Sequence, residues 1–265
     1  MSFWEIIVLA IIQGLTEFLP VSSSGHLVVA NAVLHAFGSQ PVQDLIEVSI
    51  VLHLGTLMAV LVYYRRQLVL LLSRDRRVIP LLIVGTLPAV VVGLSLKREP
   101  FEKIILESPF IAGLMFPITG IVLYWISRRK PGETDYPEMT WRQSLQIGLM
   151  QAAAILPGIS RSGFTIAGGL AVGLNRQAAA TYAFLLAVPA ILGAGILEGL
   201  ELLEGKPSGT PPLNLAVGFL VSFAVGWVAL KLLVGLVQRG RLAMFAYYLI
   251  PLGAAVILWQ ILASK

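Results

Sequence analysis

Six uninterrupted apolar stretches, 48–64, 78–96, 110–126, 178–197, 215–237 and 243–263, decide the solvent in which this chain folds. Each is long enough to cross a hydrocarbon core of ~30 Å as a helix of about 17–25 residues. Composition agrees: 57% of the 265 residues are hydrophobic, 12% are charged, and the mean hydropathy is +0.85. A net charge of +5 and a pI near 9.6 fit a nucleic-acid binder in principle. The basic residues, however, sit in short runs between apolar stretches, as topology signals do, so no nucleic-acid partner is expected. Cysteine is absent, which excludes disulfides, thiolate metal sites and a cysteine nucleophile. Residues 1–14 carry Glu5 and lack a basic leader and a small-residue cleavage site, so this segment is expected to be retained.

Four further apolar pieces, 3–19, 27–37, 143–156 and 164–174, are too short to cross. An eleven-residue helix rises only about 16 Å. They come in two pairs, joined by LPVSSSGH (19–26) and LPGISRSG (156–163). Non-helical backbone at membrane depth is tolerated only inside protein or beside water, so both joints should line a cavity and the short pieces should be re-entrant.

An offset of 138 residues pairs Gln13 with Gln151, Ser22 with Ser160, Ser24 with Ser162 and Gly25 with Gly163, and then Leu54 and Gly55 with Leu192 and Gly193. Each half thus holds one re-entrant pair and three spans. Three is odd, so the second half enters from the opposite side. The expected fold is an all-α integral membrane protein: six transmembrane helices plus two re-entrant helix pairs in an inverted-topology repeat. It forms one membrane domain, 1–265, with a first repeat 1–127, a linker 128–142 and a second repeat 143–265; a further exposed loop is expected at 206–212.

Charge supports that order. With the N-terminus outside, the inner loops hold Arg65, Arg66, Arg74, Arg76, Arg77, Arg128, Arg129, Lys130, Arg142, Arg176, Arg239 and Arg241. The outer side holds Lys97, Arg98, Lys103, Lys206 and Lys265, a bias of twelve to five that follows the positive-inside rule.

Chemistry concentrates at the joints. Gln13 and Glu17 share a helix face. Pro20 ends that helix, and Ser22, Ser23, Ser24, Gly25 and His26 follow as a helix N-terminus, where hydroxyl caps and free N–H groups favour an anion. The second joint repeats the plan with Gly158, Ser160, Arg161, Ser162, Gly163 and Thr165, and Arg161 adds a cationic fork suited to phosphate or carboxylate. Serine and glycine in membrane helices also serve plain packing. Glu17 and Arg161 are costly at depth, which marks them as functional by default, with a purely structural ion pair as the alternative. His35 and His53, on apolar runs, read as core or interfacial residues.

QGLTEFLPVSSSGH (13–26) and PGISRSGFT (157–165) resemble the glutamate-rich and PGxSRSxxT motifs of the bacterial undecaprenyl-diphosphate phosphatases linked to bacitracin resistance, over the whole chain. The resemblance implies a bacterial inner-membrane enzyme that hydrolyses a C55 polyprenyl diphosphate to the monophosphate and inorganic phosphate, recycling the lipid carrier of cell-wall synthesis. It implies Glu17 as the essential acid and a ligand of Mg²⁺ or Ca²⁺, Ser23 as nucleophile or phosphate contact, His26 as the motif histidine and Arg161 as the phosphate-binding arginine. It also implies a site open to the outer side and a homodimer; in the mechanism expected here the prenyl tail stays in the surrounding lipid. Gln13 stands where some members carry a second glutamate, and it can be neither a base nor a charged cation ligand. The competing class is a secondary transporter or lipid-carrier flippase, which uses the same architecture but needs no nucleophile.

Overall fold

The computed structural model describes residues 3–36, 45–96, 101–204 and 210–263. Their regular structure is helical: α1 (Phe3–Phe18), α2 (Ser23–Ala36), α3 (Leu45–Tyr63), α4 (Arg65–Leu71), α5 (Val78–Leu96), α6 (Pro109–Ser127), α7 (Trp141–Ala153), α8 (Arg161–Ala171), α9 (Arg176–Glu204), α10 (Pro212–Gln238) and α11 (Ala246–Ala263). Among the described residues five helices are long and apolar enough to cross a membrane. A sixth crossing requires Glu47–Tyr63 to be taken together with Arg65–Leu71, across a bend of 75°. Expected and observed spans otherwise agree within three residues at each end, except that α9 runs on to Glu204, and 78–96 agrees at both ends.

Large apolar side chains cover the outside: Val91 is 63% exposed on α5, Ile121 58% on α6 and Leu258 59% on α11. Such faces suit lipid and would be an aggregation hazard in water. The inside is held by α9, buried on every side from Ala178 to Ala187, and by α8, buried from Ser162 to Gly169. An eleven-residue helix enclosed in this way satisfies the rule that short elements at depth need protein around them.

Small residues let the short helices approach the spans. α1 lies on α10 and α7 lies on α5. A methyl added to Gly14 would sit 2.9 Å from the Gly226 amide, and one on Gly148 would sit 2.5 Å from the Gly85 carbonyl. Buried hydroxyls bridge helices: Ser144 Oγ donates to the Leu81 carbonyl at 2.6 Å, and Ser222 Oγ to the Leu52 carbonyl at 2.6 Å.

The linker 128–142 packs against the body. Thr134 bridges to Leu174, Arg77 donates to the Met139 carbonyl, and Tyr136 donates to Asp75 at 3.2 Å. Burial and the Asp75 carboxylate push the Tyr136 phenol up to about 12. Thr140 and Gln143 form a capping box that starts α7. Of the loop expected at 206–212, residues 206–209 lie outside the described residues. Thr210 departs from that expectation: it is a buried, bonded residue just ahead of α10, because the chain there already turns in toward the helix start. Lys97, Arg98, Lys206 and Lys265 of the outer-side charge set, and the side chains of Lys103 and His35, also lie outside the described residues.

Candidate active site

The first joint needs a backbone conformation that most residues avoid. After Pro20 stops α1, Ser22 takes φ 68°, an unusual value for a residue other than glycine. This turns the Ser22 hydroxyl toward the second joint, where it accepts from the Gly158 amide at 3.1 Å while also accepting from the Gly25 amide at 3.3 Å. Gly158, at φ 93°, answers with the matching turn. A methyl on Gly25 would lie 2.6 Å from the Gly158 nitrogen, so the two joints touch backbone to backbone. α6 supports both from behind: Thr119 Oγ1 donates to the Gly158 carbonyl at 2.9 Å and accepts from the Ser160 amide.

Between the joints lies a polar chamber of about 180 Å³, lined by Glu17, Ser22, Ser23, Ser24, His53, Ser160 and Arg161 among others. The Arg161 guanidinium donates directly to Glu17 Oε1. Gln13 Nε2 donates to Glu17 Oε2 at 3.0 Å, and Ser23 lines the same chamber wall as the carboxylate. Glu17 is 5% exposed and Arg161 23%, so the pair sits at the chamber wall with the guanidinium partly open to it. A buried carboxylate is tolerable only with partners of this kind. Ser160 Oγ caps α8 by accepting from the Gly163 amide at 3.2 Å, and it also meets Ser162 Oγ at 3.1 Å.

Gly25, Gly158, Ser162, Gly163 and Thr165 are off the chamber wall. The glycines allow the joints to touch, Ser162 bonds to Ser160, and Thr165 Oγ1 donates back to the Arg161 carbonyl at 2.7 Å. His26 is also elsewhere. Its Nδ1 lies 2.7 Å from the Ser22 carbonyl, which can only accept, so Nδ1 carries the proton. Nε2 then accepts from the Tyr248 hydroxyl at 2.7 Å, with the two rings stacked. Both ring nitrogens are used in holding the strained Ser22 turn.

A different histidine faces the carboxylate. His53 lines the chamber with Nε2 3.7 Å from Glu17 Oε2, and its Nδ1 donates to the Ser49 carbonyl at 2.8 Å. The apolar run of His53 predicts a core or interfacial residue; the structure instead sets it in the chamber wall beside Glu17. The available signal was the general rule that an ionisable group within a span is a functional candidate. Thr119 and Tyr248 had no such signal, being ordinary residues of apolar helices.

The chamber can bind a phosphate through Arg161 and can move a proton among Ser23, Glu17 and His53. Among the described residues no group of three His, Cys, Asp or Glu side chains forms a ready metal cage. Among the described residues Glu17 is the one carboxylate in the chamber wall, which fits a cation shared with substrate oxygens and water better than one held by protein alone.

Sequence comparison places this geometry among known proteins. The family model described as "Bacitracin resistance protein BacA" matches residues 6–255. The chain is similar to an undecaprenyl-diphosphatase of Rhodopirellula baltica, 46% identical over 255 residues and covering 96% of both chains. It is also similar to the undecaprenyl-diphosphatase of Carboxydothermus hydrogenoformans, at 36% identity, and to undecaprenyl-diphosphatase 3 of Bacillus cereus, at 39%, each covering 98% of both chains. With nearly the whole chain matched and both joint motifs inside the matched region, this multi-pass helical protein belongs to the bacitracin resistance protein BacA family.

Proposed function

We propose that this chain hydrolyses undecaprenyl diphosphate to undecaprenyl phosphate and inorganic phosphate, returning the lipid carrier to peptidoglycan synthesis and so conferring bacitracin resistance. The names of its relatives support the substrate. The observation that carries the chemistry is the meeting of Glu17, Ser23, His53 and Arg161 in one small chamber. Phosphoryl transfer asks mainly for positioning and charge neutralisation. Arg161, partly open to the chamber, binds the terminal phosphate. Ser23 Oγ attacks the terminal phosphorus as its proton passes to Glu17 or His53, and the phosphoanhydride P–O bond breaks to release the prenyl monophosphate. Water then attacks the phosphoserine and frees inorganic phosphate. Direct attack by water uses the same groups without the covalent stage.

Glu17 would be the protein carboxylate that holds a Mg²⁺ or Ca²⁺, and such an ion would supply charge neutralisation for the diphosphate. Six spans in an inverted-topology repeat, a chamber open to the outer side of the inner membrane, and assembly as a homodimer belong to the same proposal. The packing of α1 on α10 and of α7 on α5, each half's first short helix on the other half's second span, supports the repeat. A transporter would need no serine beside its phosphate site.

Purified protein given undecaprenyl diphosphate should release phosphate, and rapid acid quench of a single turnover should trap phosphate on Ser23. Absence of release under all cation conditions would refute the hydrolase. Release without trapped phosphate would select direct water attack.

A further inference from the structure

α4 breaks away from the span that precedes it. α3, at 19 residues, rises about 28 Å and already covers a hydrocarbon core of ~30 Å, so the bend of 75° that follows leaves α4 free of the crossing. Tyr64 and Leu71 are buried in the core cluster that also holds Tyr136, Met139 and Leu174. The opposite side of α4 is exposed and mixed in character. Arg65 and Arg66 open it, and Val69, Leu70 and Leu72 follow at 65%, 38% and 71% exposure. Arg65, Val69 and Leu72 stand at i, i+4 and i+7, which is one helix face. Such a face suits neither bulk phase. Water would leave three large aliphatics bare, and hydrocarbon would strand two guanidinium groups. The boundary between acyl chains and headgroups accepts both.

The charge around α4 gives the sign of the headgroup. Tyr136 donates to Asp75, Arg77 donates to the Met139 carbonyl, and Thr134 bridges to Leu174. A methyl on Gly240 would lie 2.7 Å from the Arg176 guanidinium. The turn after α4, the linker, the α8–α9 turn and the end of α10 therefore make one face of the protein. Twelve basic residues of the loops on this face stand against four acidic ones, Asp75, Glu133, Asp135 and Glu138. Among the described residues no ion pair neutralises any of the twelve. Three of them rest on aromatic rings instead: Arg128 lies 4.3 Å from the Tyr124 centroid, Arg129 4.1 Å from that of Trp125 and Arg142 5.4 Å from that of Trp141. Tyrosine and tryptophan sit at the headgroup level of a bilayer, which sets these cations at phosphate height.

We propose that α4 lies in the plane of the leaflet on this arginine-rich side and docks the headgroups of anionic phospholipids, with Val69, Leu70 and Leu72 in the acyl boundary and Arg65 and Arg66 on the phosphates. The lipid surface is the occupant because the exposed face of α4 offers apolar and cationic groups together, and because the charge surrounding it is left without acidic partners inside the protein.

The test uses the absence of cysteine from the chain, which lets Val69→Cys carry a single fluorophore. The labelled protein is placed in phosphatidylcholine nanodiscs and titrated with phosphatidylglycerol or phosphatidylcholine brominated on the acyl chain, so that quenching reports lipid beside α4. Phosphatidylglycerol should reach half-maximal quenching at a mole fraction roughly tenfold lower, given the attraction of each surface arginine to an anionic leaflet. Arg65→Gln/Arg66→Gln on the labelled protein should narrow that gap at least threefold. Raising salt from 0.1 M to 1 M, which shortens the screening length from about 10 Å to about 3 Å, should do the same without any substitution, and decides the question even where the double variant fails to fold. Coincident curves for the two lipids at 0.1 M salt, a gap that salt does not narrow, or no quenching by either lipid would overturn the proposal; the last would put α4 in water or beneath a protein partner.

Discussion

The Arg161 guanidinium donates directly to the carboxylate of Glu17, a residue 144 positions earlier in the chain, and so closes the contact between the two polar joints. Removing one member strands the other, a loss of about 3–5 kcal/mol for a buried pair. Glu17→Ala and Arg161→Ala should each abolish phosphate release, a fall of at least about 10³-fold where a phosphate clamp or its acid is lost. The double variant Glu17→Leu/Arg161→Met separates structure from chemistry. Thermal unfolding in detergent should show it more stable than either single variant while it stays inactive. Measurable activity in the double variant would reduce the pair to a structural tie.

The two histidines near the joints should respond differently. His53 presents Nε2 to Glu17, whereas both His26 nitrogens are engaged by Ser22 and Tyr248. His53→Ala should lower kcat by about 10²–10⁴, the range for loss of a general acid or base, with little change in unfolding temperature. Tyr248→Phe should reproduce a milder form of His26→Ala, because each loosens the Ser22 turn without touching the chamber. Steady-state phosphate release on the four proteins, wild type included, checks the order. A normal kcat in His53→Ala would transfer the proton to Glu17 alone.

Backbone contact between the joints gives a steric prediction. Gly25 has the Gly158 nitrogen at 2.6 Å and a Phe116 ring carbon at 2.9 Å from where a methyl would go. Gly25→Ala should therefore cost about 1–3 kcal/mol as an overpacked site and should separate Ser23 from Arg161. Activity should fall much further than stability. Unfolding temperature and phosphate release measured on one preparation would show the two losses out of proportion, and an active, stable Gly25→Ala would mean that the joints move apart freely.

Spans were legible because hydrophobic length is a direct consequence of the solvent: 78–96 is a helix at the expected ends. The joints were legible for the converse reason, since proline, serine, glycine and charge are too costly at depth to be incidental. The bend at Tyr64 was not, because nothing in the apolar run 48–64 marks where a helix turns by 75°. Within the site, motif position located Glu17, Ser23 and Arg161, but a motif does not say which way a side chain points. His26 and His53 show the difference. One lies in the motif and is used to hold a turn; the other lies outside it and faces the carboxylate across a tertiary contact that no local pattern encodes.

Gln13 is where this chain departs from the two-carboxylate pattern, and its amide has a definite role, donating to Glu17 Oε2 at 3.0 Å. Gln13→Glu would replace that donor with a second carboxylate at about the same separation. Two such groups cannot both stay ionised unless a proton or a cation is shared between them. With two carboxylates to share, a divalent ion gains a charged ligand that the wild type lacks, and the concentration of Mg²⁺ or Ca²⁺ giving half-maximal phosphate release should fall roughly tenfold. In EDTA the variant should retain less activity than the wild type, because the bare pair either protonates or turns away from Arg161. A cation titration of both proteins at one pH decides the point: coincident curves would show that the ion is held by the diphosphate alone and that the Gln13 amide matters only for orienting Glu17.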